Sequence, residues 1–174
     1  MARAYGGAWI ERTASIPLVE SHPYRTAWQT RNLDAWAHAL APDVQLYSPI
    51  FHSPFRGRES AVELFEVLFR SAGAVEITDE LCSGDTYAFF WRADFAGRPV
   101  EGVDLIRHDR DGKITEIRVS IRPLAGIAAF GAAVGPPLAG KGGAWRAPLL
   151  RVLMLPFSAI LVLAEAIASR LLSR

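Results

Sequence analysis

The sequence lacks several features that would place it in a particular class of protein. Its 174 residues include a single cysteine, Cys82, so no internal disulfide can form. A lone thiol suits a reducing cytosol, and we interpret Cys82 as a small buried hydrophobe and not as a nucleophile. The net charge is only +1, without a lysine or arginine run, zinc-finger spacing or an RNA-binding aromatic motif. We therefore expect no nucleic-acid partner.

Signals for cofactors, metals and export are also missing. No glycine-rich phosphate loop follows a predicted strand, so no nucleotide cofactor is indicated. No histidine pair has a ligand-like spacing with carboxylates, which argues against a metal site. The first 18 residues lack the continuous apolar core of a secretory signal. The sequence therefore predicts a cytoplasmic protein that needs neither metal nor cofactor.

The chain that remains is apolar and has the size of one domain with an appendage. It is 51% hydrophobic, and a domain of roughly 100–150 residues can bury a sizeable core. From Lys141 to the C-terminus the chain has five cations and only one anion, Glu165. We divide it into an N-terminal arm (1–22), a ligand-binding domain (23–124), a linker rich in Gly, Ala and Pro (125–145) and a hydrophobic helix (146–174).

Apolar periodicity within the ligand-binding domain predicts helices followed by a meander of strands. Turn signals at Gly84, Gly97 and Gly112 separate the last four strands, as in consecutive hairpins. This order favours an α+β fold in which a curved antiparallel sheet wraps around helices and forms a cone, and such cones usually hold small molecules. The predicted helices cover about 23–40 and 58–72, and the predicted strands about 44–51, 75–82, 86–95, 99–108 and 113–122.

The hydrophobic segment 146–174 needs a covering surface. Its uncharged run from Val152 to Ala164 has 13 residues, which is short for a membrane span of about 20. Pro156 would kink a helix or start a new one, and nearly every face of the helix is apolar. Three surfaces could cover it: the mouth of the cone, a second subunit in a homodimer, or an anionic membrane in peripheral contact. Each nearby cation would strengthen the attraction to such a membrane by roughly 1 kcal/mol.

Three stretches of sequence resemble a known superfamily. They are "YRTAWQTRNLDAWAHALAPDVQLYSP", "FRGRESAVELF" and "VDLIRHDRDGKITEIRV". Over roughly residues 23–122 the chain resembles the nuclear transport factor two-like superfamily, and within it the SnoaL-like polyketide cyclases and ketosteroid isomerases. The resemblance implies a cystatin-like α+β barrel with a hydrophobic pocket. Because this fold serves isomerases, cyclases, dehydratases, epoxide hydrolases and non-catalytic binders, it does not fix the function.

The resemblance also implies roles for individual residues. Ketosteroid isomerases move a proton beside a carbonyl with a carboxylate base, and a tyrosine and a protonated aspartic acid stabilise the enolate oxygen. Tyr24 and Asp104 match the tyrosine and the aspartic acid, whereas Ser48 stands at the position of the base. A serine hydroxyl cannot accept a proton near neutral pH without a partner base. We therefore name His52, four residues further on, as the substitute base.

The residues themselves leave alternatives for these assignments. Strand alternation puts Asp104 on one face of its strand, and burial in the cone would raise its pKa. On the opposite face it would instead pair with Arg92 or Arg107. Tyr24 could equally be an aromatic residue that only packs on the sheet. The residues that we expect to contact a ligand are Ser48, Trp28, Phe65, Phe89 and Trp91.

The leading hypothesis is an enzyme that acts on a lipophilic, polyketide- or steroid-like carbonyl compound by cofactor-independent proton transfer. The first alternative is a non-catalytic lipophile-binding domain that associates with membranes. The second is an epoxide hydrolase or dehydratase, which would need a second acid from Glu101 or Asp79. We expect His22 to be an exposed turn residue and His108 to be exposed at the end of its strand.

Overall fold

A computed structural model describes residues 22–172, so all but the last residue of the predicted arm 1–22 lies outside it. The first half of the domain contains two helices, two strands and a third helix, after which four strands follow one another. The helices are α1 (Pro23–Thr30), α2 (Leu33–Ala39), α3 (Arg58–Ser71), α4 (Leu124–Gly140) and α5 (Arg146–Leu172), and the strands are β1 (Leu40–Tyr47), β2 (Phe55–Arg56), β3 (Glu76–Ser83), β4 (Thr86–Phe95), β5 (Arg98–His108) and β6 (Ile114–Arg122).

The predicted first helix is in fact two helices, because the chain breaks at Arg31. Arg31 adopts a left-handed conformation with φ of 51°, and Asn32 caps α2 by accepting the N–H of Ala35 at 3.0 Å. The guanidinium of Arg31 also donates to carbonyls at the end of α3, including Gly73 O at 2.9 Å. The break therefore fixes the angle between α1 and α2 and lets α2 bury Trp36 completely.

The six strands form one curved, unclosed sheet in the order β2-β1-β6-β5-β4-β3. The expected hairpins are present, and Gly84, Gly97 and Gly112 have the positive φ angles that their turns require. Strand β1 pairs with β6 in parallel, while the other pairs are antiparallel. The α+β fold class is confirmed. Cys82 is exposed and not buried as predicted, because it lies on the edge strand β3.

The concave face of the sheet holds the core together with α1, α2 and α3. Aromatic rings dominate it: the centroids of Trp36 and Phe65 are 4.4 Å apart, and those of Tyr24 and Phe89 are 5.0 Å apart. On β4 and β5 alternate residues point into this face, which buries Phe89 and Asp104. Asp104 is a buried carboxyl group on this face, and it therefore lies among the aromatic residues of the core.

The segment predicted as a linker, 125–145, is mostly the helix α4, which corrects that prediction. Gly and Pro have low helix propensity, yet α4 packs on the sheet and on α3 and buries Phe130 and Val134. Gly126 allows this approach, since a Cβ there would lie 3.2 Å from Val100. Pro137 cannot donate to the carbonyl of Ala133, and that carbonyl accepts the Ser71 hydroxyl at 3.3 Å instead. Tertiary packing thus overrides local propensity.

Helix α5 lies along α4 and presents its other side to solvent. Its Glu165 accepts the backbone N–H of Ala125, in the first turn of α4, at 2.6 Å. Leu150 and Met154 face the cone and help to line a cavity beneath the helix. Among the described residues, α5 is the one helix whose length and apolar composition would allow it to cross a membrane.

Candidate active site

A small apolar cavity lies between the concave face of the sheet and helices α1, α3 and α4. Its volume is about 30 Å³, which is enough for roughly two water molecules. Of the predicted ligand-binding residues, Trp28, Ser48, Phe65 and Trp91 line it. Asp104 is the only ionisable side chain in this lining, as far as the described chain shows. The cavity therefore surrounds one carboxyl group with apolar walls.

Asp104 and Tyr24 form a buried pair. Asp104 is 3% exposed and Tyr24 is 1% exposed, and the Tyr24 hydroxyl donates to Oδ2 of Asp104. The other carboxyl oxygen, Oδ1, is buried without a hydrogen-bond partner. The alternative pairing with arginines does not occur, because Arg92 binds Glu101 and Arg107 binds Glu116. The structure thus brings together two of the three residues predicted to be catalytic.

Burial sets the protonation of this pair. It raises the pKa of Asp104 to about 6, against the smaller opposing effects of Tyr24 and Trp91, which favour the ionised form. Burial and the neighbouring Asp104 also raise the pKa of the Tyr24 hydroxyl well above its usual value. Tyr24 therefore keeps its proton, whereas both the ionised and the neutral form of Asp104 are populated near neutral pH.

Further hydrogen-bond donors border the cavity. The indole N–H groups of Trp28 and Trp91 are both buried and make no hydrogen bond of full geometry, although the Trp91 N–H is close enough to Asp104 to favour its ionised form. The Ser48 Oγ accepts the N–H of Ile50 at 3.2 Å, which leaves its own hydrogen to donate. A buried donor without a partner costs roughly 1–3 kcal/mol. The two indole N–H groups can therefore donate to a ligand that brings an oxygen atom into the cavity, and Asp104 Oδ1 can do so when it carries the proton.

Gly102 makes room for one of these indoles. It lies opposite Trp91 in the pairing of β4 with β5, and a Cβ at Gly102 would lie 2.2 Å from the Trp91 ring. The ring therefore lies directly over the glycine, which restricts its position. No pattern in the sequence indicates that Gly102 belongs to the site, because the ring that it supports lies on a different strand.

Two predicted residues lie behind the cavity wall and not on it. Tyr24 reaches the site only through Asp104, and Phe89 packs against the Tyr24 ring without lining the cavity. His22, which we expected to be exposed, is buried behind the same wall. Its Nδ1 accepts the N–H of Tyr24 at 3.1 Å, and its Nε2 lies 3.1 Å from Nε2 of the partly exposed His108. Burial, then His108 and Arg25, lowers the pKa of His22 to about 4.

His52 does not reach Asp104. It is exposed and lines a shallow depression with Phe51 and Pro54, because the bend after β1 turns this segment outward. Glu101 and Asp79, the acids that a hydrolase or dehydratase would need, border a depression on the opposite face of the sheet. The described lining therefore offers Asp104 no second carboxylate and no imidazole.

A second apolar cavity of about 80 Å³ lies beside the first, towards α5. The two share Ser48, Leu64 and Phe130 in their walls, and Leu150 and Met154 of α5 cover the outer one. A ligand with more than a few non-hydrogen atoms would need both volumes. The side chains of Leu64 and Phe130 would then have to move.

Comparisons with known proteins agree with this architecture. The steroid delta-isomerase of Pseudomonas aeruginosa is 27% identical and superimposes with a TM-score of 0.65, covering 70% of this chain and 90% of that one. A cystatin-like-fold protein of Silicibacter pomeroyi is 20% identical with a TM-score of 0.61, covering 66% and 84%. An NTF2-like protein of Mesorhizobium loti is 21% identical with a TM-score of 0.52, covering 57% and 85%. The latter two likenesses concern the fold alone.

The sequence comparison gives the family. No curated protein matches the chain. The profile of the SnoaL-like domain, however, matches residues 22–117, which is more than half of the chain and includes Tyr24, Ser48, Trp91 and Asp104. The protein therefore belongs to the family of SnoaL-like domains.

Proposed function

We propose that the protein binds a small lipophilic carbonyl compound and catalyses cofactor-independent proton transfer within it, with Asp104 as the group that exchanges the proton. One observation carries this proposal: Oδ1 of Asp104 is buried without a partner at the wall of an apolar cavity. Burial also brings the pKa of Asp104 to about 6. A general acid–base group works best when its pKa lies near the working pH.

The step follows from the groups at hand. Ionised Asp104 removes a proton from the carbon beside the carbonyl; the electron pair of that C–H bond forms a C=C bond, and the π pair of the carbonyl moves onto its oxygen to give an enolate. The N–H groups of Trp28 and Trp91 and the hydroxyl of Ser48 are donors that can stabilise the enolate oxygen. Protonated Asp104 then returns the proton to a carbon of the same enolate. The product is an isomer or, in D₂O, a labelled ketone.

This scheme changes the roles that the resemblance implied. There, Asp104 and Tyr24 hold the oxyanion and the base position is Ser48, for which we named His52 as a substitute. His52, however, lies outside the cavity and Tyr24 lies behind Asp104. Asp104 is therefore the side chain of the described lining that can transfer the proton. Tyr24 becomes a positioning residue, whose hydrogen bond fixes the carboxyl group and favours its ionised form. The likeness to a steroid delta-isomerase supports the choice of a lipophilic substrate and of an isomerisation.

The test uses 2-tetralone, a compact apolar ketone with acidic protons beside its carbonyl. We expect the protein to accelerate exchange of these protons in D₂O, followed by proton NMR, and Asp104→Asn to return the rate to the buffer background. The control is Glu101→Gln, which removes a carboxylate from the same strand but from the outer face. Wild-type exchange by Asp104→Asn would overturn the role of Asp104.

Tyr24→Phe distinguishes positioning from direct contact. Loss of its hydrogen bond should raise the pKa of Asp104 further, since that bond now lowers it. The pH midpoint of exchange should therefore shift upward, while the rate at high pH falls by less than in Asp104→Asn. An unchanged midpoint would contradict the proposed role of Tyr24.

A non-catalytic binder is the second candidate. The small volume of the cavity and the lack of a second ionisable group in its described lining favour it. This reading predicts that 2-tetralone quenches the tryptophan fluorescence of the protein, because Trp28 and Trp91 line the cavity, without any exchange above background. Exchange that depends on Asp104 would exclude it.

A further inference from the structure

We propose that the outward face of α5 docks on the surface of an anionic lipid bilayer. This inference does not depend on the chemistry of Asp104. Large apolar side chains are exposed along the helix, including Leu149 (58%), Val152 (68%), Ile160 (63%) and Leu163 (61%). Their spacing of three, eight and three residues keeps them on one side of the helix. An exposed apolar face of this kind marks an interaction surface.

The size of this face suits an extended, flat partner. Helix α5 has 27 residues, so it is about 40 Å long at 1.5 Å per residue. The exposed residues continue to Ile167 (49%) and Leu171 (78%) near its end. A bilayer surface can cover the whole length of such a helix without a groove of matching shape.

The charges of α5 suit anionic headgroups. Arg146 and Arg151 lie near its start and Arg170 near its end, whereas Glu165 is its only acid. Glu165 is turned towards α4, where it accepts the N–H of Ala125 at 2.6 Å. Arg146 and Arg170 lie three residues from Leu149 and Ile167, so the outward face is apolar along its middle and has a cation near each end. Each cation near an anionic surface strengthens binding by about five-fold.

The same charges disfavour a second copy of the chain as the partner. In a two-fold seam between two α5 helices, whether parallel or antiparallel, the cationic ends of one helix would meet the cationic ends of the other. Glu165 is the one acid in the helix, and it already bonds to α4. Like charges that meet without counter-charges weaken association.

The inner face of α5 keeps the helix against the protein body. Glu165 holds the first turn of α4, and Leu150 and Met154 cover the outer cavity beside Phe130. A helix that crossed the bilayer would break these contacts and carry Glu165 into the hydrocarbon, which is costly. We therefore infer that α5 lies in the plane of the membrane surface. The membrane-facing side of α5 and the side that covers the outer cavity are then opposite sides of the same helix.

The first test is flotation of the full chain with vesicles. We expect it to bind vesicles of phosphatidylcholine mixed with phosphatidylglycerol, more strongly at low salt, and to bind phosphatidylcholine alone weakly. Leu149→Glu should lower the partition coefficient by about ten-fold or more, because it replaces buried apolar area with a negative charge. Leu81→Glu is a matched control, since Leu81 is also 58% exposed but lies on β3. It should bind like the wild type.

Two further variants separate the apolar and charged contributions. Val152→Gln, which adds no charge, should weaken binding to both kinds of vesicle. Arg146→Gln should weaken binding by about five-fold, and only where phosphatidylglycerol is present, since Arg146 lies three residues before Leu149 on the same side of the helix. Far-ultraviolet circular dichroism checks that each variant is folded. Equal vesicle binding by wild type, Leu149→Glu and Val152→Gln would overturn the proposal. So would a dimer in sedimentation that Leu149→Glu abolishes, in a protein that binds no vesicles.

Discussion

The cone (residues 22–122) and the hairpin of α4 and α5 (residues 124–172) distribute apolar and polar groups in opposite ways. In the cone Trp36 and Phe89 are fully buried, and two polar groups, the carboxyl of Asp104 and the imidazole of His22, are buried with them. In α5 the reverse is seen, since Leu149 is 58% exposed. Buried polar groups and exposed apolar faces are the informative exceptions in a folded protein. The first supports our proposal of a ligand cavity, and the second supports our proposal of a docking surface.

The largest expected effect contrasts the packing of the two regions. Phe89→Ala should lower the free energy of unfolding by about 3–5 kcal/mol, because it empties a site walled by Tyr24 and His22. Leu153→Ala should change it by less than about 0.5 kcal/mol in the absence of lipid, because Leu153 is 62% exposed. Urea denaturation of each variant measures both values. Equal losses would show that α5 is as well packed as the cone.

The second effect depends on pH and isolates the buried carboxyl. Because burial raises the pKa of Asp104 from 3.8 to about 6, the folded state binds more protons than the unfolded state between these values. Stability should therefore fall as pH rises from about 4 to about 6, by on the order of 3 kcal/mol. Asp104→Asn removes this loss, so the variant should gain stability over the wild type as pH rises, and then stay level above pH 6.

Thermal unfolding of the two proteins at matched pH checks this expectation. The lowered pKa of His22 acts in the opposite direction, because a buried neutral histidine loses stability as pH falls towards 4. It is present in both proteins, so the difference between them reports Asp104. A difference in melting temperature that is the same at pH 4 and pH 8 would contradict the burial argument.

The cone could be predicted from sequence more fully than the hairpin. Alternating residues and turn glycines placed β3 to β6 within about one residue of their observed ends, because hairpins are specified locally. The prediction was wrong for 125–145, since the packing of Phe130 and Gly126 on distant strands decides that α4 is helical. The parallel pairing of β1 with β6 escaped prediction for the same reason. The two strands are neighbours in the sheet but come from opposite ends of the cone's sequence.

The residues of the site also divide into those whose positions the sequence predicts and those whose positions it does not. Asp104 could be placed inside by strand parity together with the family resemblance, and Ser48 by its position at the bend. His52 could not be placed, because the direction of a bend depends on contacts that no short pattern encodes. His22 was expected at the surface, although its ring caps α1 and packs between Tyr87 and Phe89. Its position directly before Pro23 was the available signal, since proline favours the first turn of a helix.

The third effect tests whether the cavity wall depends on one close approach between strands. Gly102→Ala places a methyl group 2.2 Å from the Trp91 ring, so the ring must shift, at a cost of about 1–3 kcal/mol. Near-ultraviolet circular dichroism should report the changed indole environment. Gly73→Ala is the control, because its new Cβ would meet atoms no nearer than 3.5 Å and its φ is ordinary. A native spectrum for Gly102→Ala would show that Trp91 is not held by the glycine.

The smallest effect concerns the link between the two regions. Pro123 precedes α4 and provides no side-chain cap, so the carboxylate of Glu165, 40 residues away, accepts the N–H of Ala125 instead. Glu165→Ala should lower the free energy of unfolding by about 1 kcal/mol, as the loss of a helix cap does. Glu165→Gln keeps an acceptor and should cost only a few tenths, the share of charge at a helix N-terminus. Hydrogen exchange of the first turn of α4 provides the local measurement, and Glu165→Ala should speed it more than Glu165→Gln. If neither variant speeds exchange there, Glu165 does not hold α5 on α4, and α5 would be free to leave the protein body when it docks.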